Sequence, residues 1–552
     1  MHKDGVVAQC QVHERTDHAI ALNFDSPNWQ FRAGQRTANA TTQYVAGEFE
    51  VLGSNTCQTR RLKSCVEVTD FSPILESKGF PRQHEKPMNI GSWIPKNMWL
   101  TNSANPSHVP APFVEKAKRD MIEKLKRSLD FEKLRASVFP LDHLATINGV
   151  NGVKGCDPMK KTTSAGIPYT RPKKEFMVPL EPVENIAEPY DFTPEILEAI
   201  KMMEDQLAGG YRVYAPHRCN LKDEAVKIGK QKVRVFLGSS LPYLYLMRKY
   251  FLPISMLMQK LPFLFEMAVG TNCFGKQWAD IARHITKYSK HRIIAGDYKA
   301  YDQKMEILLT KAAFEIILWL CEQAGYDERQ MTICRGLMTE TIAGCYDLFG
   351  EWVGLTGGNP SGHAMTVIIN GLVNLLYMRC VYYAVKPEEE TRLYHELVSL
   401  LTYGDDNIAG VSPEAPWYTH TIVANKLTEW NMDYTMADKD AESVDYISLD
   451  EASFLKRRFV WGEDGKCLAP LEESSIAKTL HTYLVSKTME KGAQHAELLM
   501  NANREYWMYG KEIFEERRAM LMELGEKTAI LHHLKDSKLD TWEEVAEWYS
   551  EQ

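Results

Sequence analysis

Two short apolar runs, 398–402 and 407–411, are separated only by Tyr403, Gly404, Asp405 and Asp406. This spacing predicts a hairpin, with two adjacent carboxylates at its tip. The run 292–295 (Arg-Ile-Ile-Ala) predicts a buried strand that leads into Asp297, with Asp302 five residues further on. Strand ends and hairpin tips let carboxylates meet without burying charge in a core. If the hairpin pairs with this strand, Asp297 and Asp405 converge. Converging carboxylates repel, and a divalent cation resolves the repulsion. Magnesium favours one or two protein carboxylates together with substrate phosphates. Two such ions can activate a hydroxyl and stabilise a leaving pyrophosphate. The alternative is an ordinary turn, because Asp and Gly favour turns in any case.

Two further elements carry chemistry. Gly357, Gly358, Asn359 and Pro360 precede Ser361-Gly362, and Thr366 and Asn370 follow at a spacing of four, on one helix face. A glycine-rich loop at a helix start offers backbone N–H groups to phosphate, and two small polar side chains on one face can read a sugar hydroxyl. A capped helix with solvated Thr and Asn is the alternative. The strip from Lys222 to Phe236 includes Lys227, Lys230, Lys232 and Arg234. As an extended strand, Lys230, Lys232 and Arg234 project to one side and suit a triphosphate or an RNA backbone. A lysine-protected edge strand is the alternative.

Composition bounds the rest. A chain of 552 residues, 44% hydrophobic and 25% charged, implies about three lobes of ordinary globular character. The net charge is −8, yet residues 222–249 hold seven Lys and Arg against two Asp and Glu. A basic strip inside an acidic protein suits an internal channel. The 11 cysteines form no C-x-x-C pair and no zinc spacing with histidine, which implies a reducing compartment. No apolar stretch reads as a transmembrane segment, and the N-terminus lacks a signal-peptide core. Residues 1 to about 110 read as a polar extension or a draped layer. Helical patterns cover 113–138, 194–207, 305–323, 363–381, 419–430 and 475–524, and 354–362 reads as a loop. The order of elements describes an α+β centre flanked by α-rich parts.

The order and spacing of these elements resemble the palm motifs of viral RNA-dependent RNA polymerases of the picornavirus-like order. From Asp297 to Ser361 is 64 residues, from Ser361 to Asp405 is 44, and from Asp406 to Lys439 is 33. Asp297 to Asp302 is similar to motif A, Ser361 to Asn370 to motif B, and Tyr403 to Asp406 to motif C. Thr435-Met-Ala-Asp-Lys439 resembles motif D, and Phe454-Leu-Lys-Arg457 motif E. Lys222 to Arg234 resembles motif F, and Thr163-Ser-Ala-Gly-Ile-Pro-Tyr169 motif G. Two positions depart from the family pattern: Gln231 stands where motif F has glycine, and Ile167 where motif G has an aromatic residue.

The resemblance implies a closed right hand and RNA-templated nucleotidyl transfer to a primer 3′-hydroxyl. The expected division is an unassigned extension (1–60), fingers and fingertips (61–240), palm (241–338 and 360–453, around a fingers insertion 339–359) and a helical thumb (454–552). The resemblance gives Asp297 and Asp405 two Mg2+ ions, with Mn2+ able to substitute, assisted by the Tyr298 carbonyl and Asp406. Lys439 would protonate the pyrophosphate. Asp302 and Asn370, helped by Ser361 and Thr366, would select ribose. Lys222, Lys232 and Arg234 would steer the triphosphate, and Thr163, Ser164, Lys456 and Arg457 would contact RNA. Implied partners are template and primer RNA, nucleoside triphosphates and a small genome-linked protein primer. The implied location is the host cytoplasm, at membrane-associated replication complexes. A reverse transcriptase and an inactive RNA-binding relative are the alternatives. Asp302 and Asn370 argue against the first, and the complete carboxylate set argues against the second.

Overall fold

The computed structural model describes residues 62–88, 93–230, 233–437, 441–462 and 465–551, and the backbone of 49–54. Lys232, Lys439 and most of the 1–60 extension lie outside the described residues.

The anticipated hairpin and strand both form, as Val398–Tyr403, Asp406–Val411 and Ile293–Tyr298. With Tyr434–Met436 they make a four-stranded antiparallel sheet, in which Ile293–Tyr298 lies between Asp406–Val411 and Tyr434–Met436. Side chains alternate across a strand, and both faces of this sheet are covered. Ile294, Leu400 and Ala409 enter a large core shared with helices Leu241–Lys260, Ile307–Ala324 and Thr366–Val385. Ile293, Ala295, Leu401 and Ile408 enter a second core beneath helix Gln277–Ile285. Double coverage explains why these strands read as continuous apolar runs.

Helix Thr366–Val385 is long and apolar enough to cross a membrane by length and composition, and it is mostly buried inside the protein. Its charged residue, Arg379, is fully buried and forms a network with Asp120 (2.8 Å) and Glu266 (2.6 and 2.9 Å). Lys124 joins at 2.8 Å from Glu266. Burial pushes the Glu266 carboxyl up, but Arg379 and Lys124 outweigh it and hold the group at about 2. Two cations and two anions thus lock helix Ala111–Ser128 against the helix that carries Thr366 and Asn370.

A five-stranded sheet runs in the order Phe49–Ser54, Glu351–Thr356, Ala343–Leu348, Pro216–Leu221, Val235–Ser239. The expected loop 354–362 is therefore strand as far as Thr356. A tight turn at Phe349-Gly350 folds 351–356 back on 343–348, and Trp352, Val353 and Leu355 are buried there. The expectation of an extended row of cations is also corrected. Lys227 ends the short strand Val226–Lys227, which pairs with His84–Glu85, Lys230 N–H closes a turn on the Lys227 carbonyl, and the next strand begins only at Val235, so neither Lys230 nor Arg234 lies in a strand.

The C-terminal part is helical with its own core, but 475–524 is interrupted by the strand Thr482–Leu484. Its partner is Val66–Val68, more than 400 residues earlier in the chain. Phe71 and Leu75 are completely buried among Ile476, Leu480 and Leu499. Burying two such side chains contributes roughly 1.5–3 kcal/mol each. The N-terminal part thus reaches across to the C-terminal lobe, as a closed hand requires.

Candidate active site

Tyr403 pairs with Asp406, leaving Gly404 and Asp405 as a two-residue turn. Gly404 has φ +60°, as the first central residue of a hairpin turn requires. On the other side of the hairpin, Asn407 pairs with Gly296. That register sets Asp406 beside Asp297, with Asp405 at the adjoining tip. The hairpin thus pairs with the strand that leads into Asp297, as the sequence predicts, through one antiparallel ladder.

What holds the turn was not anticipated. Asn374, fully buried, donates from Nδ2 towards the carbonyls of Gly404 (3.0 Å), Asp405 (3.0 Å) and Asp406 (3.2 Å). Its Oδ1 accepts from the Tyr298 hydroxyl (3.1 Å) and from Asn407 Nδ2 (3.0 Å), and the Tyr434 hydroxyl donates to Asn407 Oδ1 (2.7 Å). The carbonyls of the turn are thus fixed from below. The signal was present in the sequence: Thr366, Asn370 and Asn374 continue one polar stripe at a spacing of four along an otherwise apolar helix. The Tyr298 hydroxyl is thus committed to this network.

Asp302, half-buried, lies in the short helix Tyr301–Lys304 that follows the strand. Burial and then the charge of Asp405 push its carboxyl up to about 6. The two carboxylates therefore sense each other, which is the condition that a cation or an incoming hydroxyl would relieve. Among the described residues no three His, Cys, Asp or Glu side chains form a self-contained metal cage.

The loop before helix Thr366–Val385 packs tightly between these parts. Gly358 N–H donates to the Met305 carbonyl (2.7 Å) and Asn359 N–H to the Asp302 carbonyl (3.0 Å). Leu237 N–H donates to Ser361 Oγ (3.1 Å), and a Cβ on Gly362 would lie 1.9 Å from the Leu237 carbonyl oxygen. Only glycine permits that approach. Asn370 accepts at Oδ1 from Asn359 Nδ2 (2.6 Å). Thr366 Oγ1 instead bonds the carbonyls of Pro360 (2.9 Å) and His363 (3.0 Å), so its hydroxyl braces the loop. Arg234 enters from just before the strand Val235–Ser239. Its guanidinium makes a bidentate pair with Glu224 (2.6 Å twice), and Lys222 reaches the same carboxylate at 3.6 Å. Glu224 raises the Arg234 pKa most, and Asp302 and Asp405 add to the rise, so Arg234 lies within the field of both carboxylates.

A sequence model of the family described as viral RNA-dependent RNA polymerase matches residues 100–521. The chain belongs to the viral RNA-dependent RNA polymerases. It is 27% identical over 430 residues to the replicase polyprotein of Drosophila C virus, covering 74% of this chain and 24% of that polyprotein. It is 26% identical over 555 residues to the replicase polyprotein of Cricket paralysis virus, covering 95% and 30%. The RNA1 polyprotein of Grapevine chrome mosaic virus is 31% identical over 300 residues, 51% of this chain and 13% of that one. The chain thus spans less than a third of the length of these relatives. In fold it is similar to a Sicinivirus 3Dpol RNA-dependent RNA polymerase, with a TM-score of 0.71, 16% identity, and coverage of 92% and 98% of the two chains. The chain is an RNA-directed RNA polymerase of α+β fold, and its family uses divalent metal ions.

The remaining sequence-derived residues of the polymerase divide. Lys456 sits in a tight turn between Ser453–Phe454 and Arg457–Arg458, with its amine 2.7 Å from Glu472 and its side chain largely exposed. Arg457 is different: it makes a bidentate pair with Glu505 (2.8 and 2.7 Å), bonds the Ala469 carbonyl (2.8 Å), and is only 12% exposed. It ties the turn to helix Lys491–Trp507. Thr163 and Ser164 are exposed on a loop held from below by buried Lys173, whose amine donates to Thr163 Oγ1 (2.6 Å) and the Ser164 carbonyl (2.8 Å).

Proposed function

We propose that this polymerase extends an RNA primer on an RNA template by two-ion nucleotidyl transfer from nucleoside triphosphates. The observation that carries the reading is the ladder that sets Asp297 beside the Gly404-Asp405-Asp406 turn, with Arg234 in the field of Asp302 and Asp405. Asp297 and Asp405 would hold magnesium, or manganese in its place, with the Tyr298 carbonyl and Asp406 in support. The ions, when bound, supply positive charge where the attacking hydroxyl and the leaving pyrophosphate become anionic.

The chain's own residues do the rest. Arg234 presents a guanidinium to triphosphate oxygens, for which Glu224 keeps it oriented in the meantime; Lys222 adds charge nearby, and Lys232 also steers the triphosphate. Asp302 accepts a hydrogen bond from the ribose 2′-hydroxyl, and Asn370 supports it, with Ser361 in the adjoining loop. Lys439 donates a proton to the pyrophosphate. Lys456, Thr163 and Ser164 contact RNA, while Arg457 keeps Lys456 in place. A small genome-linked protein serves as primer, and the reaction takes place in the host cytoplasm at membrane-associated replication complexes. Residues 61–240 act as fingers, 241–338 and 360–453 as palm, 339–359 as an insertion, and 454–552 as thumb.

Single-nucleotide primer extension, with ribo- and deoxyribonucleotides side by side, tests the reading. Ribonucleotides should be strongly preferred, and Asp302→Ala should lower the ratio of the two kcat/KM values by about tenfold or more, the size of one lost hydrogen bond. Equal slowing of both sugars would mean that Asp302 is structural.

A further inference from the structure

We propose that His363 and Asn359 are positioning residues that fix which end of the Asn370 amide faces the nucleotide. This rests on the reading of Asn370 as a ribose-selecting residue. The argument begins at a backbone amide. Met365 N–H lies 3.2 Å from His363 Nδ1. A backbone N–H can only donate, so Nδ1 carries no proton. Burial holds the imidazole neutral, with its pKa lowered to about 3, so the single ring proton sits on Nε2.

Nε2 lies 2.9 Å from Asn359 Oδ1. A donor needs an acceptor there, so the oxygen of the Asn359 amide turns to the ring. Asn359 Nδ2 then faces the Thr366 carbonyl at 3.0 Å and Asn370 Oδ1 at 2.6 Å. The Thr366 carbonyl can only accept, so it favours the orientation that the ring selects. Asn370 must therefore offer its oxygen inwards, and its Nδ2, which has no acceptor among the described residues, is left for a ligand. His363 is 7% exposed and Asn359 4%, so no solvent competes for these bonds. One ring tautomer thus orients two amides in series.

The polarity matters for sugar choice. An outward NH2 can donate to the Asp302 carboxylate or to the 2′-hydroxyl oxygen, leaving the hydroxyl proton for Asp302. An inverted amide would present a second acceptor beside that carboxylate and would disfavour the arrangement. Nothing in the seven motifs points to His363 or Asn359. They gain a role only from this chain of bonds.

The test is single-turnover incorporation of CTP against dCTP by the full-length polymerase, read as the ratio of kcat/KM values. Asn370→Ala should lower the ratio by about tenfold, one lost hydrogen bond. Asn359→Asp keeps an acceptor for His363 but gives Asn370 an acceptor in place of a donor, so it should invert the Asn370 amide and lower the ratio to within a few-fold of Asn370→Ala. His363→Phe should lower it as well, and His363→Phe combined with Asn370→Ala should fall no further than Asn370→Ala alone. If Asn370→Ala lowers the ratio while the other two leave it unchanged, or slow both sugars equally, the relay is overturned and the reading of Asn370 stands. If Asn370→Ala itself leaves the ratio unchanged, both fall. A measurement on the unaltered protein guards against misfolded variants: 15N shifts of labelled histidine, assigned to His363 by comparison with His363→Phe, should show the Nε2–H tautomer. A proton on Nδ1 would overturn the relay outright.

Discussion

Asp302 should weaken the protein that it serves. Its carboxyl lies at about 6 in the folded chain against an ordinary 3.8, because burial and Asp405 disfavour the charged form. The folded pKa is raised, so folding favours the protonated acid. The penalty is absent well below the unfolded value and complete above the folded one, so metal-free stability falls as pH rises between about 4 and 7. At 1.36 kcal/mol per pKa unit, the full penalty is about 3 kcal/mol, and about half of it remains at pH 5. Asp302→Asn keeps the shape and the acceptor oxygen and removes the charge. Unfolding entropy of about 2.1 cal/mol/K per residue, for a chain of 552 residues melting as one unit, converts 3 kcal/mol into a Tm gain of about 2–3 °C. Thermal melts in EDTA at pH 8 and pH 5 read this directly. The variant should melt higher than the unaltered protein at pH 8, by roughly twice the gap seen at pH 5. A gain that does not change with pH, or a lower Tm at pH 8, would refute the reasoning.

Asp405→Asn should abolish RNA synthesis with template affinity retained, as measured by extension and filter binding, and Asp406→Asn should be less damaging. Arg234→Ala should mainly raise the KM for nucleoside triphosphates, as the loss of a charge-assisted contact of about 1.5–3 kcal/mol; a change confined to RNA affinity and its salt slope would place Arg234 in the template channel instead. Lys439→Leu should lower kcat by roughly 10²–10⁴-fold where proton transfer limits the rate, and unchanged single-turnover rates would remove that role. Gly362→Ala should impair catalysis out of proportion to any loss of Tm, because its Cβ would meet the Leu237 carbonyl at 1.9 Å and push the Ser361 loop off the strand beside Arg234. Normal kinetics in that variant would show that the loop is free to move.

The sequence by itself determined the chemical parts. Val398–Tyr403, Asp406–Val411 and Ile293–Tyr298 could be read because local apolar patterning and a glycine turn are encoded within a few residues. The order and spacing of Asp297, Ser361 and Asp405 carried the family. What sequence could not decide is which partner each polar group would find. Thr366 and Asn370 look equivalent at a spacing of four, yet Thr366 spends its hydroxyl on the loop carbonyls, while Asn370 accepts at Oδ1 from Asn359. Lys456 and Arg457 are adjacent cations, yet a tight turn exposes one and sends the other to Glu505, 48 residues away. Asn374 and His363 read as incidental polar residues in an apolar stretch. Their roles appear only when the Gly404 turn and the Asn359 amide are brought against them. Strand Thr482–Leu484 exists because Val66–Val68 arrives to pair with it. Local patterning fixes backbone preference over a few residues, but a hydrogen bond needs both ends in place. The long-range ends are supplied only by tertiary packing.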